Sequence, residues 1–220
     1  MKPAHGREKV HKPEKKAAEL LASIKHDAPL TPQNCDISHI ASMTLRILSV
    51  HKRESAKIPV QLIALSQAFG FAVYQQDLPD ALHAYLSVDL DNRERNRKLT
   101  SDKILTVNEQ DPNKLKRLNI ARCLAFYILG FDPNTDTSYS KSITDLDDGK
   151  ASTLRDIVLR NRVEELATEL LLPKAEFERE SKRLAESDYS RYEKIYALSD
   201  KFMAPSKVVQ QQLDKIRAAE

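Results

Sequence analysis

The sequence is short of cysteine, of long apolar runs, of net charge and, beyond its first half, of histidine. Its two cysteines, Cys35 and Cys123, stand in unrelated contexts, with no C-x-x-C and no Cys/His cluster of zinc-finger spacing. That argues against a disulfide framework and implies a reduced, cytoplasmic protein. No apolar run approaches the roughly 18 to 20 residues needed to span a bilayer. The basic, proline-punctuated start lacks the apolar core of a signal peptide, so the protein is expected in the cytosol and off the membrane. A net charge of +3 falls well short of a dedicated nucleic-acid binder. All six histidines lie at or before His83, so no later helix carries a His ligand.

What is present suits one soluble domain, or one domain with a small appendage. Hydrophobic residues make up 41% and charged residues 30% of the 220, with a mean hydropathy of -0.51. Lys2, Arg7, Lys9, Lys12, Lys15 and Lys16 face only Glu8 and Glu14 at the start, broken by Pro3, Gly6 and Pro13. Such a stretch is a solvated tail, or one drawn to phosphates or an acidic partner. Ala17, Leu20, Leu21 and Ile24 then recur at helical spacing.

Asp36 is placed to N-cap a helix running to about residue 52, and a further helix over 61–69 ends at Gly70. Segments 71–74, 83–88 and 103–108 read as strands, the last two separated by a polar loop at 91–102. The most apolar helical run, 117–129, follows. Next come a polar loop over 131–150, a helix over 154–172 stopped by Pro173, and helices at 175–184, 189–202 and 206–216. This order is α+β: mostly helical, with a small three-stranded antiparallel sheet and a C-terminal pair of helix-turn-helix layout. The divisions expected are 1–28 for tail and short helix, 29–173 for the main domain and 174–220 for the helical C-terminal region.

Several runs, in order, carry a resemblance. They are Ile58-Pro59-Val60, Gly70-Phe71-Ala72-Val73, Leu78-Pro79 and Ile104-Leu105-Thr106-Val107-Asn108, then the apolar helix, then Arg162-Val163-Glu164-Glu165-Leu166-Ala167-Thr168-Glu169-Leu170-Leu171-Leu172-Pro173. Together they cover about half the chain and resemble the ImmA/IrrE family of zinc peptidases. In that family a helix of the form R-F-T-I-A-H-E-L-G-H-Y-L-L carries the metal, and a later E-A-N-x-F-A-x-E-L-L-M-P run carries its third ligand. The resemblance implies a zincin-like core over 29–173.

It also implies that the chemistry is gone. Residue by residue, the first His falls on Arg122, the catalytic Glu on Cys123, the second His on Phe126 and the third ligand on Arg162. Phe126 has no donor atom, and guanidinium groups cannot ligate a dication. No catalytic residue, metal or cofactor is therefore expected. A lone cysteine on an apolar helix is usually inert, although a Cys123–His83 nucleophile pair is conceivable.

Active members of that family cut helix-turn-helix repressors in prophages, mobile elements or stress circuits. This chain is accordingly expected to be a pseudo-peptidase that binds such a repressor, or another regulatory protein, without cutting it. The groove would be floored by the apolar helix and edged by the strand from His83, with His83, Tyr85, Ser87, Arg122, Arg162, Glu165 and Glu169 as candidate contacts. Arg122 and Arg162 would pair with Glu165 or Glu169, or leave the pocket positive. Two alternatives stay open: a DNA-binding regulator using Lys207, Gln210 and Gln211 of the last helix, and an active metallopeptidase with unorthodox ligands.

Overall fold

A computed structural model describes residues 12–26, 36–48, 58–79, 82–89, 102–131, 138–143 and 154–219. Two helices come first, α1 (Lys12–His26) and α2 (Ile37–Arg46). Asp36 caps α2 as expected, its side chain accepting from the His39 amide at 3.0 Å. The short α3 (Leu62–Ala68) ends at Gly70, whose φ of +85° is the left-handed conformation that glycine alone adopts without strain. The basic lead-in read at 1–11 lies outside the described residues, as do the end of the helix read to 52 and most of the loop at 91–102.

The sheet departs from expectation. It contains β1 (Ala72–Gln76), β2 (Ala84–Asp89), β3 (Lys103–Asn108) and β4 (Ser138–Ser142), in the order β1-β3-β2-β4. β1 runs parallel to β3, while β2 is antiparallel to β3 and β4, so the sheet is mixed and four-stranded rather than antiparallel and three-stranded. β4 falls in the segment read as a loop. Its sequence, Ser-Tyr-Ser-Lys-Ser, has no alternating apolar face, and backbone pairing along the outer edge of β2 makes it a strand. β2 is consequently an inner strand, and the edge that the sequence reading gave it belongs to β4.

One face of the sheet carries α4 (Asn113–Gly130). Ala84, Leu86 and Val88 of β2, with Leu105 and Val107 of β3, turn to that face and are buried. α5 (Leu154–Leu171) packs along α4 on its other side through Val163, Leu166, Ala167 and Leu170, all fully buried. An amphipathic helix shows one apolar stripe; α4 is covered on several sides, which is why apolar residues surround it.

Three helices close the chain: α6 (Lys174–Ala185), α7 (Arg191–Phe202) and α8 (Ser206–Ala219). Ser190 and Glu193 form a reciprocal capping box at the start of α7, and Met203 turns the chain in the left-handed region between α7 and α8. Phe177 packs edge-on against Phe202, and their cluster is continuous with the core around α4. Glu180 joins α6 to α7 by accepting from Lys201 at 2.7 Å, and also meets Arg183 at 3.0 Å; these two cations hold its carboxyl below the usual range. No helix of the described residues is long and apolar enough to cross a membrane.

Candidate functional site

The positions that matter most lie in the middle of α4. Pro112 precedes its first turn, where a missing amide hydrogen costs nothing. From Leu118 to Ile128 every residue except Arg122 is buried. Cys123 is fully enclosed, and that burial pushes its thiol well above the ordinary range, with the neighbouring Arg122 opposing only in part. Such a thiol is neither a nucleophile nor a ligand near neutral pH. No hydrogen bond joins Cys123 to His83, whose Nδ1 faces Asp111. Phe126 is buried too, and the Tyr139 hydroxyl of β4 donates to its carbonyl at 3.2 Å. The same hydroxyl lies where a side chain on Gly130 would need to go.

Arg122 heads a chain of polar groups. Its Nη2 donates to Glu164 Oε2 of α5 at 3.2 Å; its Nε is 2.9 Å from Oε1 but at an angle too bent for a hydrogen bond. Nη1 donates to Asn119 Oδ1 at 3.4 Å, and Asn119 Nδ2 donates to Asp111 Oδ2 at 3.3 Å. Both Asp111 oxygens lie 3.0 and 3.1 Å from His83 Nδ1. A carboxylate there favours a proton on Nδ1, which then donates to it. Five residues from the approach to β2, the β3–α4 turn, α4 and α5 are thereby linked. Only His83 and Arg122 were picked out from sequence. Asn119 had left a visible signal, a polar residue inside an apolar run; Asp111 and Glu164 had left none.

Arg162 stands elsewhere. Residues two apart on a helix point about 200° apart, so Glu164 facing α4 turns Arg162 away from it. Arg162 Nη1 instead bonds Glu165 Oε2 of its own helix at 2.8 Å. With Glu165 and Glu169 it lines a cavity of about 340 Å³ between α5, the start of α2 and α8. Burial raises the Glu169 carboxyl, opposed by Lys174, by a hydrogen bond from Ser38 at 3.5 Å and by Lys215.

The groove drawn from sequence is therefore not one surface. His83 and Arg122 belong to the polar chain, and Arg162, Glu165 and Glu169 to the cavity beside α8. Tyr85 and Ser87, alternating with Leu86, turn to the sheet face away from α4. Arg122 and Arg162 are each engaged with a carboxylate on different faces of α5 and do not form a joint positive site. Lys207, Gln210 and Gln211 do lie exposed together on α8. Asp214, exposed on the same helix, pairs with Arg191 at 2.8 Å.

The residues at the four carried-over positions do not fit a zinc ion. Two are paired guanidiniums, one is an enclosed thiol and one a phenyl ring. Among the described residues no group of three His, Cys, Asp or Glu side chains is disposed to hold a metal.

No protein-family model and no curated protein matches the chain. Among solved structures, a Mycobacterium tuberculosis transcriptional regulator superposes over 92% of this chain with a TM-score of 0.48 and 17% identity. The chain spans 52% of that protein's length.

Proposed function

We propose that this protein is a non-catalytic regulator that acts by binding another protein, on a scaffold derived from an ImmA/IrrE-type peptidase, with a helix-turn-helix repressor as the class of partner. One observation carries the proposal: the working positions of α4 are engaged in the protein's own structure. Arg122 is tied to Glu164 and Asn119, Cys123 is enclosed, and Phe126 is buried with its carbonyl bonded by the Tyr139 hydroxyl.

Peptide hydrolysis on such a helix needs an open metal position and a carboxylate free to activate water. It also needs an edge on which an extended substrate can pair. Here the outer edge of β2 carries β4. Pairing on β2 itself is thereby excluded, and the groove beside α5 and α8 is open to a partner instead. Among the described residues, no three donors are grouped to serve an active peptidase with unorthodox ligands.

The decisive experiment is co-expression with the helix-turn-helix proteins encoded beside this gene, followed by size-exclusion chromatography and intact mass. A stable complex with an uncut repressor is expected. A cut repressor, or no complex with any of them, overturns the proposal. DNA binding is the second reading, favoured by the joint exposure of Lys207, Gln210 and Gln211. A salt-sensitive mobility shift lost on Lys207→Glu and Gln210→Glu would replace the first reading with it.

A further inference from the structure

A second cavity lies away from the polar chain of α4. It is a groove of about 530 Å³ formed by α6, α7 and α8 and the end of α5. Leu184 and Leu198 lie buried at its base, while Leu213 and Ile216 of α8 are only half-buried along it. Its rim is cationic. Lys174, Lys182, Lys194, Lys215 and Arg217 line it, against Glu169 and Glu178 as the carboxylates. Among the described residues Lys182 and Arg217 have no ion-pair partner. Ser181, also in the lining, has a buried hydroxyl without a hydrogen-bond partner.

We infer that this groove docks an acidic amphipathic helix of the partner protein. Two observations select that occupant. An apolar floor walled by helices offers no backbone edge, so an extended segment would leave its own amides unpaired, whereas a helix brings its backbone already satisfied. Unpaired cations along the rim attract carboxylates on the flanks of that helix and oppose a basic one. Nucleic acid fits less well. Its phosphates would meet the rim but leave Leu213 and Ile216 uncovered.

The inference rests on the protein-binding reading above but not on descent from a peptidase. The probe is a fluorescein-labelled peptide as long as α8, with Leu on one face and Glu on both flanks, read by anisotropy against the full chain. Binding is expected in the micromolar range, at least tenfold weaker when the Glu residues are replaced by Gln, and weakened by added salt. Lys182→Glu with Arg217→Glu, both exposed, is expected to lower affinity about tenfold with the thermal midpoint unchanged. Leu213→Ala is expected to weaken binding of both peptides.

Equal binding of the Glu and Gln peptides, no effect of the charge reversal, or displacement of the peptide by a short DNA duplex with preferential binding of the duplex would each overturn the inference. The charge-reversed protein should also lose the repressor complex. If that complex persists, the groove assignment fails while the binding function stands. If wild-type chain forms no complex at all, the function itself fails.

Discussion

Two regions of the same chain treat their charged residues in opposite ways. Around α4, Arg122, Asn119, Asp111, His83 and Glu164 bond to one another, and little polar capacity is left for a ligand. Around α6 to α8, cations line an open apolar groove, and Lys182 and Arg217 lack a charged partner among the described residues. A buried charge without a partner is costly, whereas an exposed one is solvated cheaply. A position enclosed in a fold must therefore pair its polar groups with one another or be filled with apolar ones, and α4 does both. A surface site is under no such constraint, so its open charges are better indicators of binding.

The sharpest way to break this contrast is Cys123→Glu, which restores the general base of the resembled peptidases. In an open cleft it would be tolerated. Here it places a carboxylate in the core, and a loss of more than about 4 kcal/mol is expected in urea unfolding. Lys182→Glu on the groove rim should move the same transition by no more than about 0.5 kcal/mol. A stable Cys123→Glu protein would mean that α4 lines an accessible cleft.

Smaller, but diagnostic for β4, is the contact between Gly130 and Tyr139. Gly130→Ala is expected to cost about 1 to 3 kcal/mol by forcing the tyrosine hydroxyl aside. Combined with Tyr139→Phe the two losses should be less than additive, by roughly 1 kcal/mol in a double-mutant cycle. Strict additivity would mean that Tyr139 does not lie on the helix.

Arg122→Ala is expected to cost about 1 to 2 kcal/mol, because a mostly buried guanidinium is bonded to a half-exposed carboxylate. Adding Glu164→Ala should cost little more, since its partner is already gone. A full second loss would show that Glu164 has another role.

The smallest expected effect is one of pH. Burial holds the Glu169 carboxyl above its ordinary range, so the folded state favours its protonated form. Its contribution to stability is then fully present below the ordinary carboxylate range and is lost as pH rises through the raised value. Glu169→Gln should therefore raise the melting temperature at pH 7 more than at pH 4. The opposite slope would show that Lys174, Lys215 and Ser38 outweigh the burial.

The elements themselves could be read from local pattern. Asp36 as a cap, Gly70 as a stop, three strands, and the helices of the second half each announce themselves through spacing, capping or a terminating proline. The site was legible only in part. Arg122, Cys123 and Phe126 could be singled out as positions unable to do metal chemistry, but their partners are remote in sequence: Glu164 from α5, Tyr139 from β4, and Asp111 beyond the start of α4.

By itself, then, the sequence determined most of the helices and three of the four strands, and that Arg122, Phe126 and Arg162 are not ligand types, because both depend on residue type and near-neighbour spacing. Only the tertiary structure decided that β4 takes the outer edge of β2, that Glu164 rather than Arg162 meets α4, and that the open cations gather beside α8. Those outcomes depend on strand order and on the rotation of one helix against another, which long-range packing sets and no local pattern encodes.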